Sequence, residues 1–346
     1  MMRQRSALPL DRTGTFLSRN ADVVRLAVIA VLVFTVMGIL RPQLFLSATN
    51  LSSMAFQFPE FAILSLAMML AMLTGGIDLS IIAVMNLSAI LGGLFLSSTS
   101  LDPGLAIALT VAIMLATGLA CGAVNGLLVS RIDIPPILAT LGTSQVFLGF
   151  GIVLTGGAAV HGFPEAFAAI GTARVLGVPL PLLVFAVIAL AVAFVLGRTA
   201  FGFGLYMFGT NATAARFAGL GTPRLLVATY MASGMLAAVA GVIIMARVNS
   251  MRADFGASYL LLTILVVVLG GVNPYGGYGK VLGVVLAVVS LQFISSGLNI
   301  LRFSNFTREF VWGALLLLVM VISSAPFMNV ARQLLRRRSD PERSPE

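Results

Sequence analysis

The chain has 346 residues, 59% hydrophobic and only 10% charged, with a mean hydropathy of +1.06. An ordinary soluble domain carries roughly 25% charged residues, so the composition excludes one and points to a polytopic membrane protein. The formal net charge of +9 lies mainly in tails and loops, where it orients membrane helices and calls for no nucleic acid.

The apolar residues recur in blocks of about 17 to 25, enough for a helix to cross a hydrocarbon core of roughly 30 Å. They lack the period-2 alternation of an outer-membrane barrel. About ten spans are predicted in chain order: Val23–Leu40, Leu51–Leu73, Ser80–Ser97, Leu105–Val129, Ile137–Leu154, Leu180–Leu196, Leu225–Ala246, Tyr259–Gly270, Val281–Ile300 and Phe310–Ile322. A basic tail precedes the first, and no small-residue cleavage site follows Leu40, so this block reads as a retained span and not a signal peptide. Ile137–Leu154 is rich in small and polar residues and Tyr259–Gly270 is short, so either is a candidate re-entrant segment. The expected fold is all-α, a polytopic inner-membrane helical bundle with broken or re-entrant segments.

Charge gives the orientation. With the N terminus inside, the outside keeps only Arg41, Arg174, Arg247, Arg252, Arg302 and Arg308, and every other basic residue falls on the cytoplasmic side. Both termini are then cytoplasmic. Arg336, Arg337 and Arg338 are expected to anchor the C-terminal tail at the lipid face. Cys121, the only cysteine, can form no internal disulfide and reads as a packing residue.

Between the second and third spans stands Thr74-Gly75-Gly76-Ile77-Asp78-Leu79-Ser80. Paired glycines hold a helix poorly, and an acid at membrane depth is costly unless it faces protein, water or a polar ligand. A broken helix beside a hydrophilic path is expected there. Asp78 either caps the half-helix beginning near Ser80 or hydrogen-bonds a solute hydroxyl. Gly75, Gly76, Asp78, Ser80, Asn86, Ser88, Asn125, Thr140, Thr143, Ser144 and Gln145 are candidates for a path suited to a neutral polyhydroxylated solute. The plainer alternative for the polar side chains is helix-to-helix hydrogen bonding. Glu60, after Pro59, is expected to serve an interfacial or intersubunit role, and His161 to meet water. Arg247, Arg252 and Asp254 read as a charged outer loop, either docking a partner or merely solvated. Leu73-Thr74-Gly75-Gly76-Ile77-Asp78 is echoed by Val268-Leu269-Gly270-Gly271-Val272-Asn273. The echo suggests an inverted repeat, although six predicted spans between the motifs place both on one side, which a five-span inverted repeat does not allow.

The cytoplasmic segment 198–224 contains Asn211 or Thr210 as a cap for a short helix over Ala212–Phe217, with Gly219 to stop it. Such a knob either fits a groove on a partner protein or lies on lipid.

Gly209-x-Asn211-x-x-Ala214-Ala215-Arg216-x-x-Gly219, followed by Ser233-Gly234 and Ala240-Gly241, resembles the coupling segment of permease subunits of bacterial ABC sugar importers. Gly75 to Ser80, Asn125-Gly126 with Pro135, Thr140-Leu141-Gly142-Thr143, Leu154 to Gly157, Asp254 to Tyr259 and Leu269 to Pro274 are similar to the ribose-type permeases, so the resemblance runs over roughly residues 50–325. Two short stretches depart from it: Ala212 and Thr213 stand where many relatives carry an acid, and Ile81-Ile82 replaces a frequent Val-Gly.

The resemblance implies a permease domain over 23–330 between cytoplasmic tails at 1–22 and 331–346, with Gly209, Asn211, Ala214, Ala215, Arg216 and Gly219 meeting an ATPase. It implies cytoplasmic ATPase subunits holding ATP and magnesium, a second or sister permease, and an extracytoplasmic sugar-binding protein. This chain binds no cofactor itself. It lacks a Gly-x-x-x-x-Gly-Lys-Ser/Thr phosphate loop, since Gly276-Gly277-Tyr278-Gly279-Lys280-Val281 has the wrong spacing and no hydroxyl. It is therefore read as a transport subunit and not an enzyme. The competing readings are a stand-alone secondary transporter, disfavoured by the shortage of intramembrane acids and histidines, and a branched-chain amino-acid permease, whose zwitterionic substrate would call for charged recognition.

Overall fold

The computed structural model describes residues 21–323; the tail residues that the sequence places at the cytoplasmic lipid face lie outside this range. Helix α1 spans Ala21–Leu40, followed by the single turn α2 (Pro42–Phe45) and the long α3 (Ala48–Leu73). Helices α4 (Ile81–Ser98), α5 (Pro103–Ser130) and α6 (Pro136–Thr155) come next. The segment between α6 and α8 contains β1 (Val160–His161), α7 (Glu165–Thr172), β2 (Arg174–Val175) and β3 (Val178–Pro179). Then come α8 (Leu180–Arg198), α9 (Ala200–Thr210), α10 (Ala212–Phe217), α11 (Thr222–Val248), β4 (Ser250–Met251), α12 (Tyr259–Leu269), α13 (Val281–Ile300) and α14 (Asn305–Ser323). Every predicted span falls on a helix. Among the described residues eight helices are long and apolar enough to cross a membrane: α1, α3, α4, α5, α6, α8, α11 and α13.

The bundle is built around α3 and the α5–α11 pair. From Phe58 to Leu73 every residue of α3 is buried, as a run that is apolar apart from Glu60 and Ser65 must be when neighbours surround it. The α5–α11 pair is antiparallel and rests on glycine: a Cβ on Gly118 would overlap the Gly234 carbonyl, one on Gly122 the Tyr230 carbonyl, and one on Gly126 the Val227 Cα. Three glycines at spacing four bring the two backbones together, the small-residue packing that replaces the hydrophobic effect inside lipid. Asp102 starts α5 by accepting from the amides of Gly104 at 3.0 Å and Leu105 at 3.4 Å, with Pro103 in the first turn where no amide is needed.

Several elements refine the sequence reading. Helix α6 is a full 20-residue span, with its following residues Val160–His161 paired antiparallel to Ser250–Met251 at the end of α11. It therefore runs from the Ser130 end of the bundle to the opposite end. Helix α12 has only 11 residues and follows a non-helical stretch that enters the bundle, with Met251 and Ala253 buried. Residues 198–224 hold a second helix, α9, ahead of the expected one; Thr199 starts it by accepting from Gly202 N at 3.2 Å. The turn that follows the second echoed motif packs on the first: Gly277 N donates to Leu73 O at 3.0 Å, and Tyr275 O lies 3.0 Å from where a Gly75 Cβ would sit. They share one end of the bundle, whereas a five-span inverted repeat would separate them to opposite ends.

Alanine at Gly122 should force α5 and α11 apart and destabilise the subunit by about 1–3 kcal/mol, the usual cost of overpacking. Alanine at Gly142, whose Cβ would meet nothing within 4 Å, should leave stability unchanged. Thermal unfolding of the two variants in one detergent checks the contrast.

Candidate functional site

The chain reverses between α3 and α4 in a seven-residue break, residues 74–80. Thr74 N and Gly75 N close the end of α3 onto Ala71 O and Met72 O, and Gly75 takes φ +77°, a conformation that costs glycine nothing. The chain then re-enters the bundle. Asp78 Oδ1 accepts from Ser80 N at 3.0 Å and from Ser80 Oγ at 2.7 Å, while Oδ2 accepts from Ser233 Oγ on α11 at 2.9 Å. Ser233 stands eleven residues into α11, about 16 Å along its axis at 1.5 Å per residue, so α4 begins well inside the bundle.

The hydrogen bonding continues across two more helices. Asn125 Nδ2 of α5 donates to Ser80 Oγ at 2.7 Å, and Thr143 Oγ1 of α6 donates to Asn125 Oδ1 at 2.6 Å. Thr140 Oγ1 accepts from Leu79 N at 3.1 Å and lies within donating distance of Ile77 O and Pro136 O. Asp78, Ser80, Asn125, Thr140 and Thr143 are all buried. The arrangement spends their hydrogen-bonding capacity on the break and on one another. Asp78 sits beside the first turn of α4, where the helix dipole favours its charge.

Asn86 performs the same service from one and a half turns further along α4. Its Nδ2 donates to Ala253 O at 2.8 Å and Phe255 O at 2.9 Å, carbonyls of the second non-helical stretch, which enters from the opposite end. Ser88 Oγ bonds Met85 O within the helix. Gly76 leaves room for the hydroxyl of Tyr230, 2.7 Å from where a Cβ would stand; that buried hydroxyl has no hydrogen-bond partner among the described residues. Gln145 is separate from this cluster, exposed on α6, and Ser144 is half-buried beside it.

The segment the sequence singled out for coupling lies against the same break. Asn211 caps α10, its Oδ1 accepting from Ala214 N at 2.9 Å. Gly219 ends that helix at φ +79°, with Leu220 N bonded to Ala215 O at 3.1 Å. Ala215 is buried, whereas Asn211, Ala214, Arg216 and Phe217 are exposed. Gly209, at the end of α9, is the contact point: a Cβ there would overlap Leu73 O and Gly277 N. Gly276 is equally confined, with Gly75 N 2.7 Å and Gly209 Cα 2.9 Å from its would-be Cβ. Tyr206 Oη donates to Gly279 O at 2.8 Å and completes the joint.

At the other end, Arg247 does not belong to a solvated loop. It closes the last turn of α11 and forms a two-pronged ion pair with buried Glu60 of α3, Nε to Oε1 and Nη2 to Oε2. Glu60 is thus neutralised within its own subunit. Arg252 and Asp254 pair with each other at the exposed surface, 3.0 Å apart, and His161 is exposed. Sequence reasoning missed the glycine stripe of α5, readable as small residues at spacing four. It also missed Ser233 and Arg247 as partners of Asp78 and Glu60, for which the sequence carries no local signal.

Comparison with known proteins agrees with this architecture. The family described as "Branched-chain amino acid transport system / permease component" matches residues 50–320. The chain is 34% identical to the autoinducer 2 import system permease protein LsrD of Yersinia enterocolitica over 265 residues, 75% of this chain and 78% of that protein. It is 32% identical to the LsrD protein of Salmonella typhi over 308 residues (86% and 90%) and 31% identical to that of Escherichia coli K12 over 327 residues (91% and 96%). No solved structure matches the chain.

Asp78→Asn keeps an acceptor for Ser80 or Ser233 and should destabilise the subunit by about 1 kcal/mol, whereas Asp78→Leu strands several buried donors and should cost about 2–4 kcal/mol. Unfolding of the purified variants separates the two; equal losses would assign the effect to the charge and not to the hydrogen bonds.

Proposed function

The chain belongs to the family of branched-chain amino acid transport system permease components, as an ABC-importer permease of the simple-sugar type, and on that premise we propose that it carries a monosaccharide, polyol or sugar-like signal across the bacterial inner membrane. The named relatives import autoinducer 2, which brings a small sugar-like signal within that class. A binding protein outside delivers the solute, and partner ATPase subunits, holding ATP and magnesium, supply the energy.

The observation that carries the reading is the seating of the coupling segment on the inner break. Helix α10 offers Phe217, 89% exposed, and Arg216 as a compact knob for an ATPase groove. At its base the backbones of Gly209, Gly276, Gly277 and Leu73 are in contact. Such a joint has no compliant side chain in it, so displacement of α10 passes directly to the turn between α3 and α4 and to the turn between α12 and α13. Arg131, Arg198, Arg216, Arg224 and Lys280 all stand at this end of the bundle, which the positive-inside rule assigns to the cytoplasm.

The face of α6 that carries Gln145, Gly142 and Gly149 is open among the described residues, none of which comes within 4 Å of either glycine's would-be Cβ. A second permease subunit closing on this face would complete a solute path between the two copies, with Gln145 on its wall. Asp78, Ser80, Asn125, Thr140 and Thr143 then act behind the wall, holding the break that moves. The interior polar groups are mostly neutral amides and hydroxyls, which favours a neutral hydroxylated solute over a zwitterionic amino acid.

Purification from the native membrane without crosslinker, followed by mass spectrometry, should recover an ABC ATPase subunit with this chain; a chain that consistently comes alone would contradict the assignment. Gly219→Val strains a left-handed residue by roughly 1–3 kcal/mol without a steric clash and should deform the end of α10. Solute uptake should fall about tenfold while ATP hydrolysis by the assembled complex continues. Normal uptake in this variant would remove α10 from the coupling role.

A further inference from the structure

At the end of the bundle opposite the coupling segment, two adjoining cavities of about 340 and 510 Å³ share Gln57, Gln292, Ser295 and Arg308 in their walls. They form two lobes of one cleft, within the size range of small-molecule sites. Its walls are two facing polar stripes at helical spacing. Asn50, Ser53 and Gln57 lie at i, i+3, i+7 on α3, and Gln292, Ser295 and Asn299 at i, i+3, i+7 on α13. A membrane helix has no reason to present such a stripe to lipid.

Part of this polarity is already satisfied, since Ser296 Oγ donates to Asn50 Oδ1 at 2.9 Å. Gln292 is not. It is 5% exposed and its amide makes no hydrogen bond to any described residue, so its donors and acceptor serve the cleft. The inner wall is aromatic: Phe61, Tyr259 and Trp312 line it, the first two packed edge to face at 6.4 Å. Charge balances there as well. Glu60 neutralises Arg247 on the wall, and Arg308 and Glu309 bring one charge of each sign.

Amides and a hydroxyl on opposite walls, an aromatic surface for C–H faces and no net charge describe a receptor for a neutral polyhydroxylated molecule. We propose that this cleft between α3, α13 and α14 binds such a solute within a single subunit, as an outer landing site on the face where the solute arrives. The proposal rests on the sugar-permease reading given above and adds a site to it that neither the coupling segment nor the Asp78 cluster supplies.

The chain contains a single tryptophan, and Trp312 lies in the cleft wall, so its emission reports occupancy directly. The full chain in nanodiscs is titrated with D-ribose, D-xylose, L-rhamnose and autoinducer 2, with L-leucine as a zwitterion of similar size. At least one of the four should produce a saturable change that leucine does not. Gln292→Leu, and Gln57→Leu at an exposed position where folding is not at risk, should each weaken that response about three- to tenfold, the effect of one hydrogen bond. No response to any of the four, or an unchanged response in both variants, would overturn the site. Uptake by the ATP-driven complex is scored separately: transport without a Trp312 response rejects the cleft and keeps the importer, whereas a response without transport keeps the cleft and rejects the importer.

Discussion

Backbone amides and carbonyls that leave a helix inside an apolar bundle have no water to bond, and each must find a partner in the protein. Residues 74–80 meet that condition from one end; from the other, buried Met251 and Ala253 and half-buried Phe255 of the stretch before α12 do so. Helix α4 serves both. Its start is held by Asp78, Ser80 and Thr140, and Asn86 covers the carbonyls of the second stretch. Three neighbouring helices are thereby fixed to one carboxylate, because Ser233, Asn125 and Thr143 extend the same chain of hydrogen bonds. Such connected networks specify geometry more strongly than separate pairs do.

The glycines follow from this constraint. Re-entry needs backbones to pass at close range, and Gly118, Gly122 and Gly126 give α5 and α11 that approach. At the end of the bundle that carries α10, Gly209, Gly276 and Gly277 do the same for α9 and the two turns. A permease driven from outside needs parts that move together as well as parts that open. In the account proposed here the glycine joint supplies the first and the two breaks, interrupting helices on both sides, supply the second.

Composition alone was enough for the class, and apolar block length for the eight long helices, because both depend on local sequence. The α10 helix was legible for the same reason: Asn211, the Ala212–Phe217 run and Gly219 are a complete start-to-stop signal within nine residues. Helix α9 was not, since Gly202, Gly204 and Gly209 argue against a helix locally and only packing overrides them. Partners far apart in sequence were equally hidden. Ser233 meets Asp78 across 155 positions and Arg247 meets Glu60 across 187, so a solvated outer loop was the natural but mistaken reading of Arg247. The polar stripes of α3 and α13 are visible as spacing, yet only the fold brings them face to face.

In the proposed importer this chain forms the path while its partners supply the energy. The most direct test is uptake of labelled solute into proteoliposomes, comparing the chain alone with the complex recovered from the membrane, with and without ATP on the side of the coupling segment. Accumulation is expected only from the complex and only with ATP. Accumulation by the chain alone, driven by a proton or sodium gradient without ATP, would contradict it and make the protein a secondary transporter.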